Sequence, residues 1–319
     1  MLRQCLSLMA AVYLVLPSAA LAQSQPQGTW TQKSPLTPPR GEVSLMATGG
    51  KVYAVGGSID GAAVPLLDEY DPATDRWRSL AAMLKGLDHL GVALLNDKII
   101  TVGGFVAAVH RGAVDAVYEY DPRADRWRAL APLKAPRASV GVAVLNGKIH
   151  AIGGRGVDNT FTVATHEVYD PATNKWSEAA PLPQARDHMA LVAFEGKIHA
   201  IGGRVTNPGS RTDRHDVYDP DTDTWSVGPP LPTARSGVAG VVYQNMIVVL
   251  GGELPPDHTF PENEAYEAKT GRWTTLAPMP HGRHGIGAAV TGGALYVAGG
   301  SLKPGSGGIT GELIVFTMP

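Results

Sequence analysis

The sequence predicts an all-β fold built from six copies of one four-stranded unit, and three observations predict it. A Trp is followed 26 residues later by Gly-Gly in all six copies, and a Tyr precedes five of the six Trp by seven residues. The composition, with 38 Gly, 25 Pro and 18% charged residues, is typical of short strands joined by tight turns. Spacing this regular indicates a structural repeat. The Trp and Gly-Gly positions are Trp30, Gly56-Gly57, Trp77, Gly103-Gly104, Trp127, Gly153-Gly154, Trp176, Gly202-Gly203, Trp225, Gly251-Gly252, Trp273 and Gly299-Gly300.

Each unit divides into four strands. In one copy, the apolar run 140–145 is followed by Asn146-Gly147, and residues 148–152 then lead to Gly153-Gly154. Because Asn-Gly accepts the positive φ angles of a two-residue hairpin turn, the runs on either side of it are the first and second strands. The third strand ends at Tyr-Asp-Pro in most copies, and the fourth begins at the Trp. All variation in length lies between Gly-Gly and Tyr, which gives each unit one variable loop.

The two ends of the repeat region complement each other. Trp30 begins a fourth strand without three strands before it, whereas the last Gly-Gly is followed by a third strand over residues 312–316 without a fourth. We therefore expect the segment around Trp30 to complete the last unit within one domain, 23–319. Such closure removes the open sheet edges that favour aggregation.

The combination of Gly-Gly, Tyr and Trp resembles the kelch family, over essentially the whole of residues 23–319. The resemblance implies a six-bladed β-propeller, in which four-stranded antiparallel blades surround a central channel. The fifth unit departs from the pattern with Glu267-Ala268 in place of Asp-Pro. His150 and His199 stand where other units have Tyr53 and Tyr296, and we expect both histidines to be core residues.

Residues 1–22 differ from the rest of the chain. Arg3 precedes an apolar stretch over 6–16, and Ala20-Leu21-Ala22 places small residues where a signal peptidase cleaves. The pattern predicts a secretory signal peptide, cleaved between Ala22 and Gln23, and so a periplasmic or secreted protein. Because the only cysteine, Cys5, lies in this segment, the mature chain is expected to have no disulfide.

Charge and spacing exclude several classes of partner. The net charge is −2 and no basic block occurs, so we expect no nucleic-acid partner. No second long apolar run follows the signal segment, so we expect no membrane span. No dense His or Cys ligand spacing exists along the chain, so we expect no metal and no cofactor. The protein is expected to be monomeric.

We place the functional surface at one end of the disc, called here the loop end. Strands alternate in direction within a blade, so the variable loops after Gly-Gly and the Pro-rich connections after each Trp strand share that end. Loops on a rigid scaffold commonly carry binding residues. The candidates near the channel mouth are arginines ten residues after a Trp, arginines directly after Gly-Gly, and nearby acidic and histidine residues. They are Arg40, Arg137, Arg186, Arg235, Arg283, Arg155, Arg204, His89, His188, His284, Asp88, Asp187, Glu42 and Glu253.

Two interpretations of the arginines stay open. They could form a cationic funnel that binds carboxylates, sulfates or phosphates through bidentate contacts. Alternatively, the five that recur at one repeat position, where the second unit has Leu87, could be structural clasps that bond loop carbonyls. Arg155 and Arg204 occur in only two units and are therefore better candidates for a functional role.

Two functions also stay open. The first is a binding scaffold that recognises a protein or an anionic carbohydrate, because the sequence contains no recognisable catalytic motif. The alternative is an enzyme acting on sugar acids, similar in scaffold to periplasmic kelch proteins of the sialic-acid mutarotase type. Its candidate acids would be Glu42, Asp88, Asp187, Glu253 and Glu264, with no catalytic residue assigned. A copper-radical oxidase is excluded because the mature chain lacks the cysteine that its cofactor needs.

Overall fold

The computed structural model describes residues 27–107, 110–157, 162–205, 210–305 and 307–319. The predicted signal peptide with Cys5 lies outside the described residues, as do residues 23–26 of the predicted domain. Within the described ranges, no helix has the length and apolar character needed to cross a membrane.

The described chain forms six four-stranded antiparallel sheets, and the innermost strand of each sheet contacts the innermost strands of its two neighbours. This ring of sheets confirms the six-bladed β-propeller. From the inner to the outer strand, blade 1 consists of β2 (Ser44–Thr48), β3 (Lys51–Val55), β6 (Leu67–Asp71) and β7 (Arg76–Ser79), and blade 2 of β8 (Gly91–Leu95), β9 (Lys98–Val102), β10 (Val117–Asp121) and β11 (Arg126–Ala129). In the same order, blade 3 consists of β12 (Gly141–Leu145), β13 (Lys148–Ile152), β14 (His166–Asp170) and β15 (Lys175–Glu178), and blade 4 of β16 (Ala190–Phe194), β17 (Lys197–Ile201), β18 (His215–Asp219) and β19 (Thr224–Val227). Blade 5 consists of β20 (Ala239–Tyr243), β21 (Met246–Leu250), β24 (Asn263–Glu267) and β25 (Arg272–Thr275), and blade 6 of β26 (Gly287–Thr291), β27 (Ala294–Ala298), β28 (Leu313–Thr317) and β1 (Thr29–Lys33). Two short hairpins, β4 (Ser58–Ile59) with β5 (Ala62–Ala63) and β22 (Glu253–Leu254) with β23 (His258–Thr259), lie in variable loops.

The apolar runs become buried strands because each blade is packed between two others. Four of the five residues of β13 are buried, and the same holds for the second strand of most other blades. In β12 buried residues alternate with half-buried ones, as expected for a strand with one face toward the channel. The outer strand β15 is exposed except at Trp176, which is half-buried. The core therefore lies between the blades, in six layers around the ring.

The Trp of each outer strand joins its blade to the preceding one. Trp77 Nε1 donates a hydrogen bond to the Ser34 carbonyl at 2.9 Å, and the other five Trp make equivalent bonds. Because a buried indole N–H needs a partner, this bond fixes the orientation of the ring at each interface. The Trp residues are thus packing residues in the described blades.

The Gly-Gly pair makes the second repeated contact between blades. The amide of its second glycine donates to a backbone carbonyl at the start of the next blade, and the residue with that carbonyl stands ten positions after a Trp. In one example, Gly104 N donates to Arg137 O at 2.9 Å. A Cβ on Gly103 would lie 2.2 Å from that same carbonyl oxygen. Glycine is required here because the backbones of adjacent blades approach too closely for any side chain.

The N-terminal strand closes the ring. β1 pairs antiparallel with β28, so that Trp30 lies opposite Phe316, and their ring centroids are 4.9 Å apart. Trp30 Nε1 also bonds the carbonyl of Ala277 in blade 5 at 2.8 Å. The first and last described strands of the chain therefore belong to one sheet.

The two ends of the disc differ in chemistry. The end opposite the loop end, called here the turn end, carries the hairpin turns and a repeated Lys–Asp ion pair, such as Lys51 Nζ to Asp71 Oδ1 at 2.8 Å. Between the two ends, the channel encloses a cavity of about 430 Å³ whose walls are largely aliphatic, including Val92, Val142 and Leu191. No charged side chain of the described residues lines this cavity, so the charged groups near the channel axis lie toward its mouths.

Candidate functional site

The five repeated arginines do not line the channel mouth. Their relative exposure is at most 2%, because each side chain turns into its own blade rather than toward the axis. Arg186 Nη1, for example, lies 2.6 Å from Asp216 Oδ2, a residue of the third strand of blade 4. The predicted position at the mouth is corrected for Arg40, Arg137, Arg186, Arg235 and Arg283. Their carboxylate partners are Asp68, Glu167, Asp216, Glu264 and Glu312.

Blade 2 explains what these arginines do. It has Leu87 at the arginine position and Tyr118 at the position of the usual carboxylate, so both members of the ion pair are replaced together. The two residues instead pack in the hydrophobic layer between blades 1 and 2. Because an isolated buried charge is costly, losing only one partner would leave the other uncompensated. The pattern favours the structural clasp for the five arginines.

Arg155 and Arg204 do reach the mouth, but both are paired. Arg204 Nε lies 3.2 Å from Asp187 Oδ1, and its Nη1 lies 3.3 Å from Glu253 Oε1. Arg155 Nε lies 3.6 Å from the second oxygen of Asp187. Burial raises the pKa of Asp187, although the two arginines act in the opposite direction. Because carboxylates compensate these charges, the arrangement does not favour the cationic-funnel interpretation.

The mouth is formed by one residue from each blade, two positions after the arginine position. All six residues have positive φ, from 49° at Ser139 to 69° at Gly237, which is uncommon outside glycine. They surround a cavity of about 120 Å³. The mouth ring consists of Glu42, His89, Ser139, His188, Gly237 and Gly285. A Cβ on Gly285 would lie 2.6 Å from Glu42 Oε1, so the glycine makes room for that carboxylate.

Acidic side chains and His284 form one side of the mouth. The imidazole Nε2 of His284 lies 3.4 Å from Glu253 Oε2, and its Nδ1 lies 3.6 Å from Glu42 Oε1. The backbone amide of Gly305 donates to Glu253 Oε2 at 2.9 Å. These contacts hold Glu42 and Glu253 on the loop-end side of the channel.

Three histidines cluster at the same mouth next to Glu42, whose Oε2 lies 3.2 Å from His89 Nε2. His89 Nε2 lies 3.1 Å from His110 Nε2, and the rings of His89 and His188 have centroids 5.1 Å apart. One ring nitrogen from each of the three lies within 4.8 Å of the others. Ser139, the ring residue between His89 and His188, is small enough to let the two imidazoles approach each other.

Aspartates orient two of these histidines. His89 Nδ1 lies 2.6 Å from Asp88 Oδ1, and His188 Nδ1 bonds Asp187 Oδ1 in the same way. An N–H donated from Nδ1 leaves Nε2 as the acceptor of the neutral ring. The repeated Asp-His pair therefore presents both Nε2 atoms toward the mouth.

The surroundings lower the pKa of two of the three histidines and raise the pKa of the third. Burial and the neighbouring charges of His89 and Arg204 lower the pKa of His110 to about 2. Burial also places the pKa of His188 well below its usual value, with Arg204 adding to the effect. Burial opposes protonation of His89 too, but the Glu42 and Asp88 carboxylates outweigh it and raise its pKa. His110 and His188 are therefore neutral imidazoles.

The propeller thus brings together eight of the fourteen candidates from five blades at one mouth, with Arg155 beside them. They are Glu42, Asp88, His89, Asp187, His188, Arg204, Glu253 and His284. Sequence reasoning missed His110, which lies on the variable loop of blade 2 and packs its ring edge-on to Phe105 with centroids 5.7 Å apart. His110 has no counterpart in the other units, so no repeat-based signal marks it.

Comparisons with known proteins support the repeat. The family model described as "Kelch motif" matches residues 39–84, 88–134, 136–183 and 185–232. Kelch-like protein 23 of Homo sapiens is 35% identical over 75 residues, which cover 24% of this chain and 13% of that protein. Kelch-like ECH-associated protein 1B of Danio rerio is 32% identical over 91 residues, which cover 27% of this chain and 16% of that protein. The chain spans about an eighth to a sixth of the length of these relatives.

A solved structure titled "Structure of YjhT" is similar to the whole propeller. It superposes with a TM-score of 0.75 over 87% of this chain and 95% of the other, at 19% sequence identity. At this identity the likeness is one of fold.

Proposed function

This chain belongs to the kelch-motif family, and from that premise we propose that it is a secreted, monomeric scaffold that binds a protein partner through its loop end. The kelch propeller is a scaffold for protein interaction, and the binding surface has to be inferred for this chain in particular. The partner class and the surface are inferred from the distribution of exposed apolar side chains.

The observation that carries the proposal is that the exposed large hydrophobic residues all lie at the loop end. Among the described residues they are Leu84, Val157, Val227 and Leu302, with exposures between 42% and 73%. Leu84 lies in the connection between blades 1 and 2, Val157 and Leu302 follow Gly-Gly pairs, and Val227 ends β19. The turn end instead carries Lys–Asp pairs. An asymmetric distribution of this kind favours a protein partner on the apolar side.

The mouth favours a protein partner over an anionic sugar. Its cavity of about 120 Å³ is below the roughly 300 Å³ at which pockets begin to enclose small organic ligands. Arg155 and Arg204, which would hold a carboxylate, are already paired with Asp187. Of the acids considered for sugar chemistry, Glu264 is buried against Arg235 and is closed to a substrate. These observations weigh against both the sugar-acid ligand and the enzymatic alternative.

Site-specific photo-crosslinking in the native host tests the proposal. Probes replacing Leu84, Val157 and Leu302 at the loop end should capture one and the same protein. Matched probes at Asp97 and Asn146, in turn-end hairpins, should not capture it. The variant Leu84→Asp should weaken capture by the probe at 302 at least tenfold while leaving the melting temperature unchanged, since Leu84 is exposed.

Capture by turn-end probes, or undiminished capture in Leu84→Asp, would contradict the loop-end proposal. Selective binding of the purified chain to an anionic glycan array, with no protein captured, would favour the carbohydrate reading instead.

Secretion is tested separately. We expect the protein recovered from outside the cytoplasm to begin at Gln23, because Ala20 and Ala22 occupy the positions read by signal peptidase. Replacing both alanines with Arg should leave the precursor uncleaved, whereas Ala19→Arg serves as the matched control. A chain that retains residues 1–22 in the cytoplasm would contradict the prediction.

A further inference from the structure

We propose that His89, His110 and His188 bind one divalent transition-metal ion, of the type represented by Zn²⁺, at the channel mouth. The inference goes beyond partner binding and rests on separate observations. The sequence alone predicts no metal site, because the ligands are not closely spaced along the chain. The propeller instead brings together a residue of blade 4 with two from blade 2.

The spacing of the ring nitrogens suits a metal. Two ligands at about 2.0–2.1 Å from a tetrahedral ion lie about 3.3 Å from each other. His89 Nε2 and His110 Nε2 are 3.1 Å apart, and one nitrogen of each of the three rings lies within 4.8 Å of the others. Small rotations of the side chains would bring all three to one ion. His110 lies on a loop, which can make that adjustment.

The surroundings of the ligands suit a metal as well. A metal-binding histidine commonly donates its other N–H to a carboxylate, which fixes the tautomer and strengthens the ligand. Asp88 and Asp187 do this for His89 and His188. Both aspartates are almost fully buried, and Asp88 Oδ2 has no hydrogen-bond partner among the described residues. A cation beyond the imidazole of His89 would compensate the buried carboxylate of Asp88.

The chemistry of the ligands decides the class of ion. Imidazole nitrogens are ligands that favour Zn²⁺, Cu²⁺, Ni²⁺ and Co²⁺, whereas Mg²⁺ and Ca²⁺ prefer oxygen ligands. Glu42 Oε2, 3.2 Å from His89 Nε2, adds a carboxylate on the same side of the mouth. The cavity of about 120 Å³ accommodates an ion with its water.

One neighbour competes with the ion. Arg204 Nη2 contacts His188 Nε2, the lone pair that the metal would use. On binding, the guanidinium would have to leave this nitrogen, but its contacts with Asp187 and Glu253 would keep it at the mouth. The ion would thus lie beside a cationic group that could hold an anionic metal-bound ligand.

Calorimetric titration of Zn²⁺ into protein stripped with a chelator and dialysed tests the proposal. We expect one Zn²⁺ per chain, and Co²⁺ should give the visible absorption of a tetrahedral nitrogen-ligated site. His110→Ala should lower the affinity at least tenfold without changing the melting temperature of the metal-free protein, because His110 lies on a loop. Asp187→Asn should lower the affinity about 10–100-fold by releasing the orientation of His188.

His281→Gln is the matched control, since its side chain is 65% exposed and lies outside the cluster, and it should bind Zn²⁺ like the parent. If His188→Ala does not fold, His110→Ala still decides the question. Absence of stoichiometric binding in the parent, or equal affinity in parent and His110→Ala, would overturn the proposal.

Discussion

Arg137 has 2% of its surface exposed, and its guanidinium bonds Glu167 together with the carbonyls of Gly153 and Thr165. Burial lowers the pKa of this arginine, and the charge of Glu167 opposes that effect. Truncating one member of such a pair costs about 3–5 kcal/mol, much of it from the charge left behind. Arg137 therefore stabilises the fold only in combination with Glu167.

We therefore predict that Arg137→Leu lowers the free energy of unfolding by about 3–5 kcal/mol. The double variant Arg137→Leu/Glu167→Tyr, which copies Leu87 and Tyr118 of blade 2, should recover at least half of that loss. Guanidinium denaturation measures both values. The matched control Arg76→Ala, at the exposed start of β7, should stay close to the parent. A single variant as stable as the parent would show that the arginine is not a clasp.

At the scale of strands, blades 3 and 4 carry buried histidine pairs where blades 1, 2 and 6 carry apolar residues and blade 5 carries Val248 and Asn263. His150 Nδ1 on β13 lies 2.9 Å from His166 Nε2 on β14, and His199 and His215 repeat the pair in blade 4. Burial, with a contribution from the partner ring, lowers the pKa of His150 to about 4. Burial lowers the pKa of His166 to about 4 as well.

This pair should make the protein sensitive to acid. A histidine whose folded pKa lies below its unfolded value of about 6.5 stabilises the fold above pH 6.5, and that contribution is lost as the pH falls toward 4. The double variant His150→Tyr/His166→Leu copies Tyr53 and Leu67 of blade 1 and cannot protonate in this range. We expect it to match the parent at pH 7.5 and to exceed it in free energy of unfolding by about 1–3 kcal/mol at pH 5.

His281→Gln is the control for the loss of a histidine as such, because the His281 side chain is 65% exposed and lies outside both buried pairs. The prediction fails if the two proteins lose stability in parallel between pH 7.5 and pH 5.

Strands were predictable from the sequence because each repeated residue has the same contact in every blade. Trp and Gly-Gly keep their spacing since each Trp bonds the preceding blade and each Gly-Gly approaches the next. The direction of an arginine side chain, in contrast, cannot be predicted from the spacing of the repeat. The spacing placed Arg137 at the start of an inner strand, but only the folded chain decides whether the side chain turns to the channel or into the blade.

The residues of the mouth were predictable in part, because some of them recur at one position of the repeat. Glu42, His89 and His188 occupy one repeat position, so periodicity placed them near each other. His110 could not be placed, because it belongs to a variable loop with no equivalent in other blades. Its contact with His89 depends on the path of that loop alone.

At the scale of the whole molecule, ring closure depends on a single strand. β1 supplies Trp30 to the core layer between blades 5 and 6 and covers the edge of β28. Deleting residues 23–33 should lower the melting temperature sharply or cause aggregation, because it exposes that edge and removes a core side chain. Calorimetry and gel filtration measure the two effects.

Deleting only residues 23–26, which precede the first described strand, is the matched control and should leave both readouts unchanged. A monomeric 23–33 deletion with an unaltered melt would show that β1 is dispensable for closure.

The pairing of β1 with β28 also sets an order in time. Thr29 faces Thr317, so the sixth sheet joins the first and the last strand of the described propeller, which become available for folding at different times. Blades 1 to 5 are each made of consecutive strands and can form one after another, whereas the sixth must wait for nearly the whole domain. Until then β1 is an unpaired strand that could join another chain. The interval before these two strands can pair is therefore the period in which the protein most needs protection from misassembly.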